Sequence, residues 1–233
     1  MPINALENAL ASVPDSMWAE IRSLSKPISA KLSRFGWCNN KYYRRNPENE
    51  SGCVEQISRS GEREIPYQRE FFHTCLSRFA IPNRPVAYFS HSFTINVCET
   101  IDVFRLNPEL SRDELSCYFE GKMDPTRGLK GYAMKVKLSD RALILDLVDN
   151  SLPFIDYLVS SGGWWSRQEF LNSTILSRNP GVYEETQLIS REALRRGFQG
   201  VCYQSVRIPN DIRVPDRNLV VFDRSIVKVR QYC

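Results

Sequence analysis

The stretch GVCYQSVRIPNDIRVPDRNLVVFDRSIVKVRQ, residues 200–231, shows the clearest strand pattern in the sequence. Two runs, GVCYQS at 200–205 and NLVVF at 218–222, are almost continuously apolar, which is typical of strands that are buried on both faces of a sheet. A third run, SIVKVRQ at 225–231, alternates valine with lysine and arginine. This period of two predicts an edge or half-exposed strand, so the C-terminal part of the chain predicts a covered sheet.

The preceding sequence adds both strands and helices. It predicts four further strands, at 41–45 (KYYRR), 84–90 (RPVAYFS), 132–138 (YAMKVKL) and 142–147 (ALILDL). The short gap between the last two predicts a hairpin. Helices are predicted after Ser90 or Ser92, either of which can cap the first one, near 153–159 and near 183–196, the last ended by Gly197. Because strands and helices do not alternate as regular βαβ units, the pattern predicts an α+β (mixed α/β) protein.

The N-terminal region has a different pattern. Apolar residues at 3–24 recur at roughly helical spacing and are interrupted by Pro14, which predicts two short helices. We interpret residues 1–40 as an N-terminal helical extension and residues 41–233 as the main domain. The polar, turn-rich stretch at 46–66 predicts an exposed loop.

The composition argues against several classes of protein. The net charge of +4 comes from scattered lysine and arginine residues, so it does not by itself indicate nucleic acid, and an anionic small ligand would explain it equally well. We expect no direct contact with nucleic acid. Seven widely spaced cysteines without a CxxC pair give little support to a zinc site or a disulfide framework. The sequence has no run of about 18 apolar residues, and we therefore expect a cytoplasmic protein without a membrane-spanning segment.

The residue types suggest one kind of chemistry. Glycine-rich phosphate loops, serine elbows and histidine–metal motifs are missing, and the only two histidines, His73 and His91, are isolated. Arginine, tyrosine and glutamate remain, and these suit cleavage of the nicotinamide–ribose bond of NAD, which passes through an oxocarbenium-like state. A carboxylate would offset the developing charge, arginines would bind the pyrophosphate, and an aromatic ring would position the nicotinamide.

The order of several sequence elements resembles the RES-domain family, which is named for its Arg, Glu and Ser. An aromatic residue followed by arginine occurs at Tyr43-Arg44. A second arginine with an aromatic residue, a proline turn and a strand with tyrosine occurs in SRFAIPNRPVAYFS, which contains Arg78 and Tyr88. The gap from Arg44 to Arg78 is longer than usual in the family, and Arg45 is the alternative first arginine.

Two more elements complete the resemblance. The helix glutamate of the family corresponds to Glu99 in INVCET, eleven residues after Tyr88. A C-terminal glycine-aromatic stretch, GFQGVCYQSVR, leads to NLVVF and contains Ser205. The ordered set spans roughly residues 42–224.

The resemblance implies an ADP-ribosyltransferase-like mixed sheet with flanking helices that binds NAD+ as its substrate and destroys it. Nicotinamide would leave by hydrolysis or, with inorganic phosphate as co-substrate, by phosphorolysis, and no metal is implied. Family members are toxins of bacterial toxin–antitoxin pairs. The resemblance therefore implies growth arrest through loss of NAD and a cognate antitoxin, typically with an Xre-like helix-turn-helix domain.

The family roles can be carried over residue by residue. Arg44 and Arg78 would contact the phosphates or ribose of NAD, and Tyr88 would pack beside the nicotinamide. Glu99 would act on the nicotinamide ribose, and Ser205 would hydrogen-bond to the ligand or orient a neighbour. The implied catalytic residues are Glu99 and Arg78, and the implied binding residues are Arg44, Arg78, Tyr88 and Ser205.

Simpler roles stay open on residue type alone. Glu99 would be a solvated helix acid, Arg44 and Arg78 surface charges, Tyr88 a core aromatic with a satisfied hydroxyl, and Ser205 a strand-ending residue. Two other functions are also open, namely ADP-ribosyl transfer to a protein target and a non-catalytic domain that only binds a partner. The sequence leaves the question of a homodimer open as well.

Overall fold

Seven strands in the described part of the chain form one mixed sheet. The computed structural model describes residues 3–25, 32–37, 78–90, 131–148, 152–177, 183–206 and 217–232. The strands are β1 (Leu32–Trp37), β2 (Ala87–Ser90), β3 (Gly131–Leu138), β4 (Ile144–Asp146), β5 (Gly200–Gln204), β6 (Arg217–Val221) and β7 (Val227–Tyr232). They lie side by side in the order β4-β5-β6-β2-β1-β3-β7.

The strand pairing explains the C-terminal sequence pattern. Among these strands β4 and β5 pair in parallel, and all other neighbours are antiparallel. Strands β5 and β6 lie inside the sheet and are buried along nearly their whole length, as their apolar runs predict. Strand β7, with its alternating pattern, lies at an edge of the sheet, as predicted.

Helices cover the sheet. They are α1 (Ile3–Ser12), α2 (Asp15–Leu24), α3 (Leu152–Gly162), α4 (Arg167–Phe170) and α5 (Tyr183–Arg195), with a π-helical segment at Leu171–Ile175 and a 3₁₀ turn at Arg224–Ile226. Pro14 separates α1 from α2, and Gly197, with φ +85°, follows the end of α5, a backbone conformation that glycine adopts without strain. The predicted α+β class, with a mixed sheet, flanking helices and N-terminal helices, is confirmed.

The N-terminal helices pack into the main core. The indole of Trp18 on α2 is fully buried, with its ring centre 4.9 Å from that of Phe154 and 6.0 Å from that of Phe198. Strand β1 also falls within residues 1–40, although that range was predicted to be helical, and it pairs with β2 and β3. The division at residue 40 stays a prediction, and the strand predicted at 41–45 lies outside the described residues.

The sheet buries side chains on both faces. Its helix-covered face, which packs against the helices, carries Val201, Tyr203, Val220 and Phe222, with Tyr88 partly buried beside them. The opposite face, which we call the inner face, carries a second cluster that includes Ala87, Phe89, Ile144, Cys202, Leu219 and Val221. Alternate residues of β2, β5 and β6 therefore serve two separate cores.

The predicted hairpin between β3 and β4 is wrong. Strand β3 lies between β1 and β7. Strand β4 lies five positions from β3 in the sheet and pairs with β5. In a flat sheet that separation would be about 24 Å, and the chain from Leu138 to Ile144 spans at most about 21 Å even when fully extended. The sheet must therefore curl, and Leu138, Ala142 and Ile144 indeed belong to the same inner-face cluster as Ile226.

Candidate functional site

Arg78 is the charged residue at the centre of the candidate site. It lies on the turn-containing segment before β2 and is 8% exposed, which excludes the simple role of a surface charge. Its Nη1 donates a hydrogen bond to the carbonyl of Ile175 at 3.0 Å, and its Cζ lies 5.4 Å from the centre of the Tyr203 ring. No carboxylate of the described residues lies within 4 Å of this guanidinium. A guanidinium has five N–H donors, so donors remain for an anionic ligand.

The next residue, Phe79, adopts an unusual backbone conformation. Its φ is +57°, a left-handed value that costs a non-glycine residue about 1–2 kcal/mol. Its ring stacks on Tyr203, with ring centres 4.4 Å apart and an angle of 27° between the planes. Its N–H donates to Thr186 Oγ1 at 3.2 Å, and its carbonyl accepts from Ser190 Oγ at 2.9 Å. Two hydroxyls of α5 therefore satisfy both polar groups of one strained residue.

Tyr88 lies on β2 and contacts the same segment. Its hydroxyl donates to the carbonyl of Arg78 at 2.7 Å, and its ring is partly buried against the helix-covered core. The hydroxyl thus has a structural partner, as the simpler interpretation of this residue requires. The predicted contact of its ring with nicotinamide stays a prediction.

Ser205 directly follows β5 and is 1% exposed. It lies two residues beyond Tyr203, about 7 Å along the strand, and strand alternation directs both side chains to the helix-covered face. Asn218 on β6 pairs with Tyr203 of β5 on one side and with Ser90 of β2 on the other. Ser90 Oγ donates a hydrogen bond to Asn218 Oδ1 at 2.7 Å. Polar side chains thus collect on this face where β2 and β5 end.

The structure therefore brings together three of the five predicted site residues. Arg78 and Tyr88 are in direct contact, and Ser205 is buried two residues beyond Tyr203, the ring over which Arg78 lies. Arg44 and Glu99 lie outside the described residues, as does Arg45, the alternative to Arg44.

The family profile described as RES domain matches residues 56–232 of this chain. The chain belongs to the RES-domain family. The matched part of this RES domain includes Arg78, Tyr88, Glu99 and Ser205, whereas Arg44 precedes it and stays a prediction.

No curated protein matches this chain. Among solved structures, a chain in the crystal structure of the M. tuberculosis MbcT-MbcA toxin–antitoxin complex is similar. The two chains share 11% sequence identity over 94% of this chain and 92% of that one, with a TM-score of 0.45.

Three residues that contact Arg78 or Phe79 were not predicted from the sequence. Tyr203 lies under both Arg78 and Phe79, and its position two residues before Ser205 on an apolar strand was the available signal. Thr186 and Ser190 are four residues apart in TQLIS, so they lie on one face of α5, but that spacing alone does not identify what they contact.

Two carboxylates of the described RES domain have shifted pKa values, and neither lies beside Arg78. Burial raises the pKa of Glu192, but hydrogen bonds from Arg195 and Arg196 and their charges outweigh it, so the pKa lies below its ordinary value. Hydrogen bonding from the Ser225 side chain lowers the pKa of Asp223; burial opposes this, and Gln199 adds to it.

The described ranges contain neither a cluster of metal-ligating side chains nor a membrane-spanning helix. There, no three His, Cys, Asp or Glu side chains are grouped so that they could hold a metal ion. None of the described helices is both long and apolar enough to cross a bilayer.

Proposed function

We propose that this RES-domain protein cleaves the nicotinamide–ribose bond of NAD+. The observation that carries the proposal is the buried Arg78, placed over Tyr203 beside Tyr88, on the sheet face that also holds Ser205. A buried cation with free donors and aromatic neighbours suits a ligand that has both phosphates and flat rings. Membership of the RES-domain family and the resemblance to ADP-ribosyltransferases support NAD+ as that ligand.

Each residue then has a task in binding. Arg78 binds the pyrophosphate through the N–H groups that do not face the Ile175 carbonyl, and Arg44 supplies a second cation. Tyr88 packs beside the nicotinamide, while Ser205 hydrogen-bonds to the bound dinucleotide or orients a neighbour. Because Arg78 is held by contacts at its main chain and side chain, it loses little conformational freedom when the ligand binds.

Bond cleavage depends on Glu99 in this proposal. Its carboxylate holds the ribose hydroxyls and offsets the positive charge that develops as the C–N bond breaks. Nicotinamide leaves with the bonding electron pair as a neutral molecule. In hydrolysis, water then forms the new bond to the ribose carbon and releases a proton to the solvent, which gives ADP-ribose. In phosphorolysis, inorganic phosphate forms that bond instead, which gives the phosphate ester of ADP-ribose. No step requires a metal.

The proposed biological role follows from the family. We propose that the protein is a toxin that acts in the cytoplasm and stops growth by removing NAD. Resemblance to the RES-domain family further supports a cognate antitoxin with an Xre-like helix-turn-helix domain as its protein partner.

The test is to incubate the purified, antitoxin-free protein with NAD+, with and without phosphate, and to measure nicotinamide by chromatography. We expect nicotinamide release from the wild type and loss of it in Glu99→Gln, which is nearly isosteric and should fold normally. The product formed with phosphate separates phosphorolysis from hydrolysis. Intact NAD+ with folded wild-type protein would overturn the proposal, and a labelled protein acceptor from labelled NAD+ would replace it with ADP-ribosyl transfer.

A further inference from the structure

Helix α5 holds the residue next to Arg78 at two points. Thr186 Oγ1 accepts from the Phe79 N–H at 3.2 Å, and Ser190 Oγ donates to the Phe79 carbonyl at 2.9 Å. Thr186 Oγ1 also donates to the Tyr183 carbonyl at 2.9 Å, which fixes its orientation on the helix. Both hydroxyls are fully buried, and they lie one helical turn apart.

We propose that Thr186 and Ser190 are positioning residues for Arg78. They keep Phe79 in its left-handed conformation, and this conformation sets the direction in which the neighbouring guanidinium faces the ligand. The identity of the ligand as NAD+ rests on the proposed function. The effect of the two hydroxyls on the conformation of Phe79 and Arg78 does not.

The surrounding contacts show why Phe79 controls Arg78. The Arg78 carbonyl is held by the Tyr88 hydroxyl at 2.7 Å, and its Nη1 is held by the Ile175 carbonyl at 3.0 Å. Because the carbonyl and the guanidinium of Arg78 are both held, the backbone torsions of Phe79 determine whether the two hydrogen bonds form at the same time. Without its two hydroxyl partners, the buried peptide of Phe79 would relax toward negative φ and the guanidinium would move.

The first test compares side chains of similar size with and without a hydroxyl. Thr186→Val and Ser190→Ala remove the hydroxyl, whereas Thr186→Ser keeps it and loses a methyl group. We expect the first two to raise KM for NAD+ about tenfold with kcat changed less than about threefold, because the proposed function gives Arg78 a task in binding and assigns bond cleavage to Glu99. Thr186→Ser should stay within about twofold of the wild type. Equal losses in Thr186→Val and Thr186→Ser would show a packing role and overturn the proposal.

The second test asks whether the hydroxyls act through Arg78. In an Arg78→Ala background, Ser190→Ala should change the residual cleavage by less than about twofold, since the group that it positions is gone. A further tenfold loss in that background would show an independent structural effect and overturn the proposal. Ser12→Ala is the matched control, because Ser12 Oγ donates to a carbonyl of its own helix at 2.8 Å, and we expect wild-type kinetics from it.

A crystal structure of Ser190→Ala separates this inference from the proposed function. If the wild type leaves NAD+ intact, the proposed function fails, and the structure alone then decides the positioning role. We expect Phe79 to leave the left-handed region and the 3.0 Å contact from Arg78 Nη1 to the Ile175 carbonyl to be lost. An unchanged Arg78 in that crystal structure would overturn the inference.

Discussion

Arg78 and Arg196 lie over aromatic rings at the same distance but in different electrostatic surroundings. The Cζ atom of Arg78 lies 5.4 Å from the centre of the Tyr203 ring, and that of Arg196 lies 5.4 Å from the Trp18 ring. Arg196, however, donates to Glu192 at 2.8 Å and also pairs with Asp15. Among the described residues, the acceptor for the guanidinium of Arg78 is the carbonyl of Ile175.

This difference separates a structural cation from a binding cation. The charge of Arg196 is balanced by two carboxylates, so its contacts join α2 to α5 and leave little charge to attract a ligand. The carbonyl that faces Arg78 orients the guanidinium but does not neutralise it. Burial strengthens electrostatic attraction, so an anion would bind more strongly at Arg78 than at an exposed arginine.

The largest expected effect is at Trp18, the ring beneath the structural arginine. Trp18→Ala should lower the free energy of unfolding by about 3–5 kcal/mol, because it leaves a cavity between α2, Phe154 and Phe198. Trp18→Phe should lower the free energy of unfolding clearly less. The buried Nε1 of Trp18 has no hydrogen-bond acceptor among the described residues, and phenylalanine removes that donor while it fills part of the cavity. Denaturant unfolding measures both variants, and a small loss from Trp18→Ala would show that the N-terminal helices are not part of the main core.

The arginines themselves give the next largest effect, on activity. Arg78→Ala should reduce the efficiency of NAD+ cleavage about 100-fold, or about 2.7 kcal/mol, because charge-assisted hydrogen bonds to the ligand are lost. Arg78→Lys should recover only part of this, since lysine keeps the charge but not the planar donor fork.

Arg196→Ala is the matched control for this prediction. It should cleave NAD+ within about twofold of the wild type while losing about 1–2 kcal/mol of stability from its contacts with Glu192 and Trp18. Similar losses of activity in both alanine variants, measured as kcat/KM well below the unfolding temperature, would remove the distinction between the two sites.

Much of the sheet could be predicted from local patterns, but its order could not. The apolar runs of β5 and β6 and the alternation in β7 are properties of short segments, and they gave correct strands. Strand β4 was predicted as a strand but given the wrong partner, because its partner β5 lies more than 50 residues away in sequence. Strand β1, LSRFGW, has no clear period of its own and forms by pairing with β2 and β3.

The candidate site was predicted only in part for a similar reason. The family pattern predicted Arg78, Tyr88 and Ser205 as site residues. The fold joins Arg78 to Tyr88 and places Ser205 just after the strand that carries Tyr203, and the roles of all three stay predictions. Tyr203 and the hydroxyls of α5 were missed, because their role depends on the positive φ of Phe79. That torsion is set by long-range contacts and leaves no mark in the residue type, since phenylalanine rarely adopts it.

The smallest expected effect is the pH dependence of the Arg196 site. The pKa of Glu192 lies below its ordinary value of 4.5 in the folded protein, because hydrogen bonds from Arg195 and Arg196 outweigh the effect of burial. The unfolded state therefore binds more protons as the pH falls below about 4.5, so this stabilisation is present above that pH and is lost as the pH drops through the folded pKa.

Thermal unfolding from pH 6 to pH 3 should show a shallower acid decline in Glu192→Gln than in the wild type. The exposed Glu20→Gln controls for the loss of a carboxylate that has no salt bridge to arginine among the described residues. A Glu192→Gln curve parallel to the wild type would contradict the prediction, because it would show that the pairing of Glu192 with Arg195 and Arg196 adds no acid-sensitive stability.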